Sequence, residues 1–241
     1  MASKIFHIGV AGWTIPGENR NEFPSEGSHL ERYSQIFNCV EINSSFHREH
    51  QFNTYLRWSE TVPKDFRFSV KLSKIFTHEN KLKVNSRELH LCLDNYQGLG
   101  ENLGILLVQL PPKLEFELKI AETFFIQLRK SISQAIVLEP RHISWRNADA
   151  YKLMLDLGIS KVRSDPEPCP GGEVVSSAAD LSYFRYHGSP MIYRSSYSAK
   201  ALQELAKEMN QHQASWCIFD NTTLGAAVGN ALDLKKLLSC P

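Results

Sequence analysis

The sequence has 241 residues, 42% hydrophobic and 22% charged, the balance of a folded chain with one sizeable core rather than of a disordered one. Its 27 Lys and Arg nearly cancel 26 Asp and Glu, leaving a formal charge of +1, so no overall field draws it to nucleic acid or to a membrane surface. Five cysteines without a CxxC pair argue against a disulfide framework or a zinc ribbon.

The chain enters an apolar strand almost at once, with no signal-peptide pattern at Met1–Ile8 and no apolar run of membrane-spanning length. A reduced, cytoplasmic protein is the expectation, with Cys39 and Cys217 as small core residues. Eight short segments read as strands: Phe6–Val10, Cys39–Asn43, Phe66–Leu72, Gly104–Leu110, Ala135–Glu139, Lys161–Asp165, Tyr183–His187 and Trp216–Asp220. Most begin as continuous apolar runs, as strands buried on both faces do. Between them, His29–Phe37, Phe52–Ser59, Ser86–Tyr96, Phe116–Lys130, Ala148–Leu157, Ala199–Gln211 and Ala226–Leu238 carry helical periodicity. Pro166–Ala179, rich in Pro and Gly, reads as a loop.

Strand–helix alternation implies parallel pairing. The count of eight and a terminal helix able to close the ring favour a barrel over an open sheet. The predicted fold is therefore a single (β/α)8 TIM barrel over residues 1–241, with an irregular sixth βα unit.

The strand ends carry the chemistry. Glu41 and Asn43, Lys71, Gln109, Glu139 and Arg141, Arg163 and Asp165, Arg185 and His187, and Asp220 with Asn221 all fall at predicted C-terminal ends. Side chains alternate along a strand. A charge on the outer face would be buried without a partner, so these pairs are expected to face the barrel axis at the mouth, where barrel enzymes place their catalytic groups. Carboxylates beside permanent cations shift one another's proton affinity. Glu41, Glu139 and His187 are therefore candidate acid–base groups. Arg141, Arg185 and Lys71 suit a carboxylate or phosphate group.

A divalent metal has a possible donor set in Glu139, Asp165, His187 and Asp220, with Glu41 nearby. There is no HxH or HExxH, and the interleaved cations oppose a bound cation, so no cofactor is expected. Trp13 suits a wall of the mouth. Trp145 could stack on a ligand or cap a helix. His78 reads as a loop anchor, and the tyrosines and Arg194 of Ser189–Tyr197 suit a lid. There is no GxSxG elbow.

At these strand ends the chain resembles the YecE-like family, which carries domain of unknown function 72. The resemblance lies in Ile8–Trp13, Val40–Arg48 (VEINSSFHR), Phe66–Leu82 (FRFSVKLSKIFTHENKL), Leu107–Leu114 (LVQLPPKL), Leu138–Trp145 (LEPRHISW), Tyr183–Gly188 (YFRYHG) and Phe219–Leu232 (FDNTTLGAAVGNAL). It implies a TIM-type barrel but no reaction. It also implies family site positions at Glu41, Asn43, Lys71, His78, Gln109, Glu139, Arg141, Arg185, His187 and Asn221. His47 stands where tyrosine is expected, and Asp220 where asparagine is.

The expected function is a hydrolase or isomerase acting on a small anionic ligand bearing phosphate or carboxylate. Substrate contacts would come from Asn43, Lys71, His78, Gln109, Arg141, Trp145, Asp165, Arg185 and Asn221. The alternatives are a metal-dependent phosphodiesterase working on nucleic acid, which the net charge does not indicate, and a non-catalytic ligand-binding or interaction module. No membrane partner is expected.

Overall fold

The structure is a computed structural model that describes residues 4–168 and 181–239. Its strands are β1 (Ile5–Val10), β2 (Cys39–Ile42), β3 (Arg67–Lys71), β4 (Leu103–Gln109), β5 (Ala135–Glu139), β6 (Ile159–Lys161), β7 (Arg163–Asp165), β8 (Leu181–Tyr186) and β9 (Ala214–Phe219). All pairs are parallel. One sheet runs β2-β3-β4-β5-β6 and the other β1-β9-β8-β7.

Two seams join these sheets into a (β/α)8 barrel. β6 and β7 are halves of one stave, interrupted at Val162; the first half pairs with β5 and the second with β8. At the other seam Ala11 bridges to Glu41, and the Gly12 N–H donates to the Glu41 carbonyl at 2.9 Å. Below it the Asn38 side chain stands in for a ladder: its Oδ1 accepts from Ile8 N–H at 3.0 Å and its Nδ2 donates to Phe6 O at 2.7 Å. Gly9 makes this seam possible, because a Cβ there would lie 2.2 Å from the Cys39 carbonyl oxygen.

The helices are α1 (His29–Ser34), α2 (Ser44–His47), α3 (Phe52–Thr61), α4 (Ser86–Tyr96), α5 (Leu118–Ser131), α6 (Ala148–Asp156), α7 (Ala199–Met209) and α8 (Ala226–Ser239). Each long helix turns an apolar stripe to the sheet. In α7 the stripe is Leu202, Leu205, Ala206 and Met209, and Ser198 caps the start by accepting from Ala201 N–H. No helix among the described residues is long and apolar enough to cross a membrane.

A second apolar cluster fills the lumen: Cys39, Ile105, Leu107, Val137, Val162, Leu181, Tyr183, Trp216 and Ile218. The interior is thus packed with apolar side chains beneath the polar C-terminal mouth, the usual layering of such barrels, with His7 against Trp216 towards the opposite end. Cys39, Cys92 and Cys217 are free and buried.

Strand and helix boundaries follow the pattern to within about three residues, the first helix ending at Ser34 rather than Phe37. The inward face of the sixth stave is a correction. Val162 points into the lumen, so Arg163 and Asp165 point outward, towards the helices. The Arg163 guanidinium pairs with Glu208 of α7 and lies over the Phe184 ring, 5.4 Å from its centroid. A partner on the helix layer removes the desolvation cost that placed this charge inside. Of the expected loop at Pro166–Ala179, residues 166–168 carry neither helix nor strand; the rest lies outside the described residues, as do Cys169 and Cys240.

Candidate functional site

Strand alternation brings Glu41, Ser69, Lys71, Gln109, Glu139, Arg185, His187 and Asp220 to the inner face at the mouth, in successive layers. Arg185 is their hub, with no solvent exposure. Its Nε and Nη2 grip Glu41 side-on at 3.0 and 2.7 Å. Nη2 also donates to Asp220 at 3.0 Å, and Nη1 to Gln109 at 3.2 Å and to Glu139. The Tyr183 hydroxyl bridges Glu41 Oε2 at 2.9 Å and Ser69 Oγ at 2.8 Å. Buried charge is tolerated here because every Arg185 nitrogen meets an acceptor.

Glu139 gathers three cations. Besides Arg185, it accepts from Arg141 Nη2 at 2.7 Å and Nε at 3.0 Å, and faces His187 Nε2 at 3.3 Å. Burial alone would raise its pKa, but Arg185, the His187 bond and Arg141 outweigh burial and hold it well below the usual carboxylate range. His187 Nδ1 lies 3.1 Å from Asp220 Oδ2. Both ring nitrogens therefore face carboxylate oxygens, and only the imidazolium can donate to both. Burial disfavours that charge, yet the bonds to Asp220 and Glu139 raise the His187 pKa above its ordinary value. Asp220 is held low: burial opposes ionisation, and Arg185 and His187 prevail.

Lys71 is different. It is 8% exposed, with Nζ 4.2 Å from the centroid of the Phe46 ring. The mouth's carboxylates are bound to Arg185, Arg141 and His187, and Lys71 forms no ion pair among the described residues. Burial and the like charge of Arg185 lower its pKa to about 8 against the pull of Glu41, Asp220 and Glu139. His78 sits on a π-helical turn, Ile75–Glu79, a distortion frequent at functional sites. Its Nδ1 lies 2.8 Å from Thr77 Oγ1, and Phe46 meets it edge-on at 4.9 Å. Burial, then Lys71 and Arg141, lower its pKa, so it is neutral near pH 7 and close to both cations.

Asn43 joins the mouth through a long 3.5 Å contact from Nδ2 to Asp220 Oδ1, and its Oδ1 is buried without a partner. Asn221 lies beside the site, 0% exposed. Its Nδ2 ties Ser195 O at 2.8 Å and Asn230 Oδ1 at 2.9 Å, anchoring the β8–α7 loop. Two expected contacts fall elsewhere. Trp145 is core: 1% exposed, packed on Phe116 and Phe125, with Nε1 donating to Leu114 O at 3.0 Å. Asp165 faces the helix side with Tyr186 and Tyr197, whose hydroxyl donates to its carbonyl at 3.0 Å. Asp165 thus stands apart from Glu139, His187 and Asp220 in the expected metal set. Trp13 meets Trp58 edge-on at 5.0 Å.

Above His187 opens a cavity of about 320 Å³, lined by Glu139, Arg141, His187, Pro112, Pro166, Glu167, Pro168, Ile192 and Tyr193. Sequence reasoning missed Tyr183, Ser69 and Phe46. Tyr183 was within reach, since it lies two residues before Arg185 and so on the same strand face. Phe46 gave no signal, because its contact with Lys71 depends on how α2 folds back.

Several known proteins resemble this chain. UPF0759 protein YecE of Escherichia coli (strain K12) is 30% identical over 107 residues, 44% of this chain and 38% of YecE; the chain thus matches well under half the length of that relative. UPF0759 protein YunF of Bacillus subtilis (strain 168) is 23% identical, covering 97% of this chain and 95% of YunF. Among solved structures, a DUF72 family protein of Enterococcus faecalis V583 superposes with a TM-score of 0.80 at 19% identity, over 98% of this chain and 96% of that one. A sugar phosphate isomerase/epimerase of Parabacteroides distasonis shares the barrel fold at a TM-score of 0.56 and 12% identity, over 100% and 96% of the two chains. The family described as "Protein of unknown function DUF72" matches residues 7–240, and the chain belongs to that family.

Proposed function

We propose that the barrel mouth is the active site of an enzyme that binds a small phosphate- or carboxylate-bearing substrate and works on it by acid–base chemistry. The observation that carries this reading is the way the buried charges pair. Among the described residues, the three buried carboxylates Glu41, Glu139 and Asp220 are taken up by Arg185, Arg141 and His187. That leaves Lys71 buried without an ion pair among the described residues. An incoming anion would supply the missing partner.

Roles follow from exposure and commitment. Arg185 is fully enclosed and its donors are spent, so it organises the site rather than touching a ligand. Glu41, also fully buried, holds Arg185 and is not placed to take a proton from a substrate. Arg141 keeps 18% of its side chain exposed, and with Lys71 and neutral His78 it forms the anion seat. His187 lines the cavity. Its two ring nitrogens are held by Glu139 and Asp220, so it gives a proton to the reacting atom as one of these bonds is exchanged for the substrate while the other keeps the ring oriented. Isomerisation and hydrolysis both draw on this set. The likeness to a sugar phosphate isomerase/epimerase is one of fold, which hosts many chemistries.

Titration calorimetry with inorganic phosphate and glycerol 3-phosphate tests the seat. A charge-assisted hydrogen bond is worth about 1.5–3 kcal/mol, so Arg141→Ala should weaken phosphate binding roughly 10- to 100-fold. Unchanged affinity in both Arg141→Ala and Lys71→Met would remove the basis for the proposal.

A further inference from the structure

The cavity above His187 has two unlike sides. Its floor is ionic, made by Glu139, Arg141 and His187. Among the described residues its walls come from three separate loops: Pro112 after β4, Pro166 and Pro168 after β7, and Ile192 and Tyr193 after β8. Glu167, the charged residue of the wall, is paired with Lys161 at 3.3 Å. Prolines bring no N–H to such a wall. Against the described walls a polyol would find few partners for its hydroxyls beyond the ionic floor, and a hydroxyl left unpaired is costly.

The loop after β8 adds an independent observation. Met191, Ile192 and Tyr193 are 57%, 50% and 40% exposed, a run of large apolar side chains that a folded surface avoids unless it serves binding. Tyr193 is also held at φ +67°, a left-handed conformation unfavourable for a bulky residue. Two backbone bonds keep it there: its N–H donates to His187 O, and its carbonyl accepts from Thr223 N–H at 3.0 Å. Gly188, at φ +98°, lets the loop fold this tightly, since a Cβ would sit 3.0 Å from the carbonyl oxygens of Met191 and Ser195. The outcome is a tyrosine ring fixed edge-on to the His187 imidazole, 5.8 Å between centroids at 82°.

We infer that this cavity takes an aromatic ring carrying one anionic group, phosphate or carboxylate. The ring lies against Tyr193, Ile192 and the three prolines, and the anion reaches Arg141. This rests on the reading of the mouth as an anion-binding site and narrows its substrate class. A planar ring buries apolar surface without asking the walls for hydrogen bonds, and it gains from aromatic contact with Tyr193. The volume, about 320 Å³, is at the small end for ligand pockets and suits one or two rings.

The test is titration calorimetry of the full chain at one salt concentration. The ligands are inorganic phosphate, glycerol 3-phosphate, n-hexyl phosphate and phenyl phosphate, with acetate against benzoate as the carboxylate arm. Phenyl phosphate should bind about tenfold or more tightly than glycerol 3-phosphate and detectably more tightly than n-hexyl phosphate, and benzoate should exceed acetate in the same way. Tyr193→Ala should cost phenyl phosphate about tenfold while leaving inorganic phosphate within about twofold, and Ile192→Ser should cost less. Glycerol 3-phosphate or n-hexyl phosphate binding as tightly as phenyl phosphate overturns the aromatic assignment, as does a Tyr193→Ala variant with wild-type affinity. In those cases the anion reading stands if inorganic phosphate still binds. No binding by any of the anions overturns both.

Discussion

Replacing Glu41 by glutamine keeps the shape of the side chain and removes one charge from beneath the mouth. Arg185 then loses half of its side-on pair. The amide oxygen can accept from Nε or from Nη2, but the amide nitrogen turns N–H against N–H at the other. Both residues have no exposure, so water does not fill the gap, and the mouth carries one more uncompensated positive charge. Breaking a buried pair by removing one partner costs about 3–5 kcal/mol. At about 2–4 °C per kcal/mol for a domain of this size, thermal unfolding followed by circular dichroism at pH 7 should shift down by roughly 6–20 °C. The double variant Glu41→Gln/Arg185→Met should recover part of this loss, because removing both charges costs less than orphaning one. A Glu41→Gln variant within about 0.5 kcal/mol of the parent, a surface-like effect, would show that the hub is hydrated and that the charge argument for the mouth is wrong.

Other consequences can be checked alongside it. Lys71 has a folded pKa of about 8 against 10.5 in an unperturbed chain. The unfolded state therefore binds the extra proton between these values, so the Lys71 contribution to stability should rise with pH across that window by up to about 3 kcal/mol. It is read as the stability of the parent minus that of Lys71→Met in urea melts from pH 7.5 to 10.5, because burial raises the pKa of Cys39, Cys92 and Cys217 and pulls the other way in both proteins. The raised pKa of His187 gives stability that is full below its unfolded value near 6.5 and lost as pH climbs through the folded value. Nitrogen-15 NMR at pH 7 should find both ring nitrogens protonated, and a single neutral tautomer there would contradict the bonding to Asp220 and Glu139. Trp145→Phe should cost about 0.5–1.5 kcal/mol through the lost bond to Leu114 with phosphate affinity unchanged; a large affinity loss would return Trp145 to the site.

The barrel was legible because its physics is local. Strands covered on both faces are near-continuously apolar, and Ala135–Glu139 and Gly104–Leu110 carry that pattern in the sequence. The mouth was legible to the extent that alternation decides it, so Glu41, Glu139, Arg185 and His187 converge as expected. Partners distant in sequence decide the rest. Nothing near Arg163 announces that Glu208 on α7 will meet it outside the barrel. Nothing near Arg185 says that its donors will be spent while those of Lys71 are not, since that depends on side chains from β2, β4 and β5 and on Asp220 just past β9. Trp145 sits in a loop by sequence, and only the packing of Phe116 and Phe125 shows it to be core.

The seams of the barrel bear on how it holds together. Backbone ladders unite four strands in one sheet and five in the other, with thin stitching between them. The Arg185 network crosses that division: Glu41, Gln109 and Glu139 belong to the five-stranded half, and Arg185, His187 and Asp220 to the side of the four-stranded half. The polar mouth is therefore a clasp between two half-shells. Whatever settles on Arg141 and His187 presses on both shells at once, so occupancy there would be felt as slower amide exchange along the β1–β2 and β6–β7 seams.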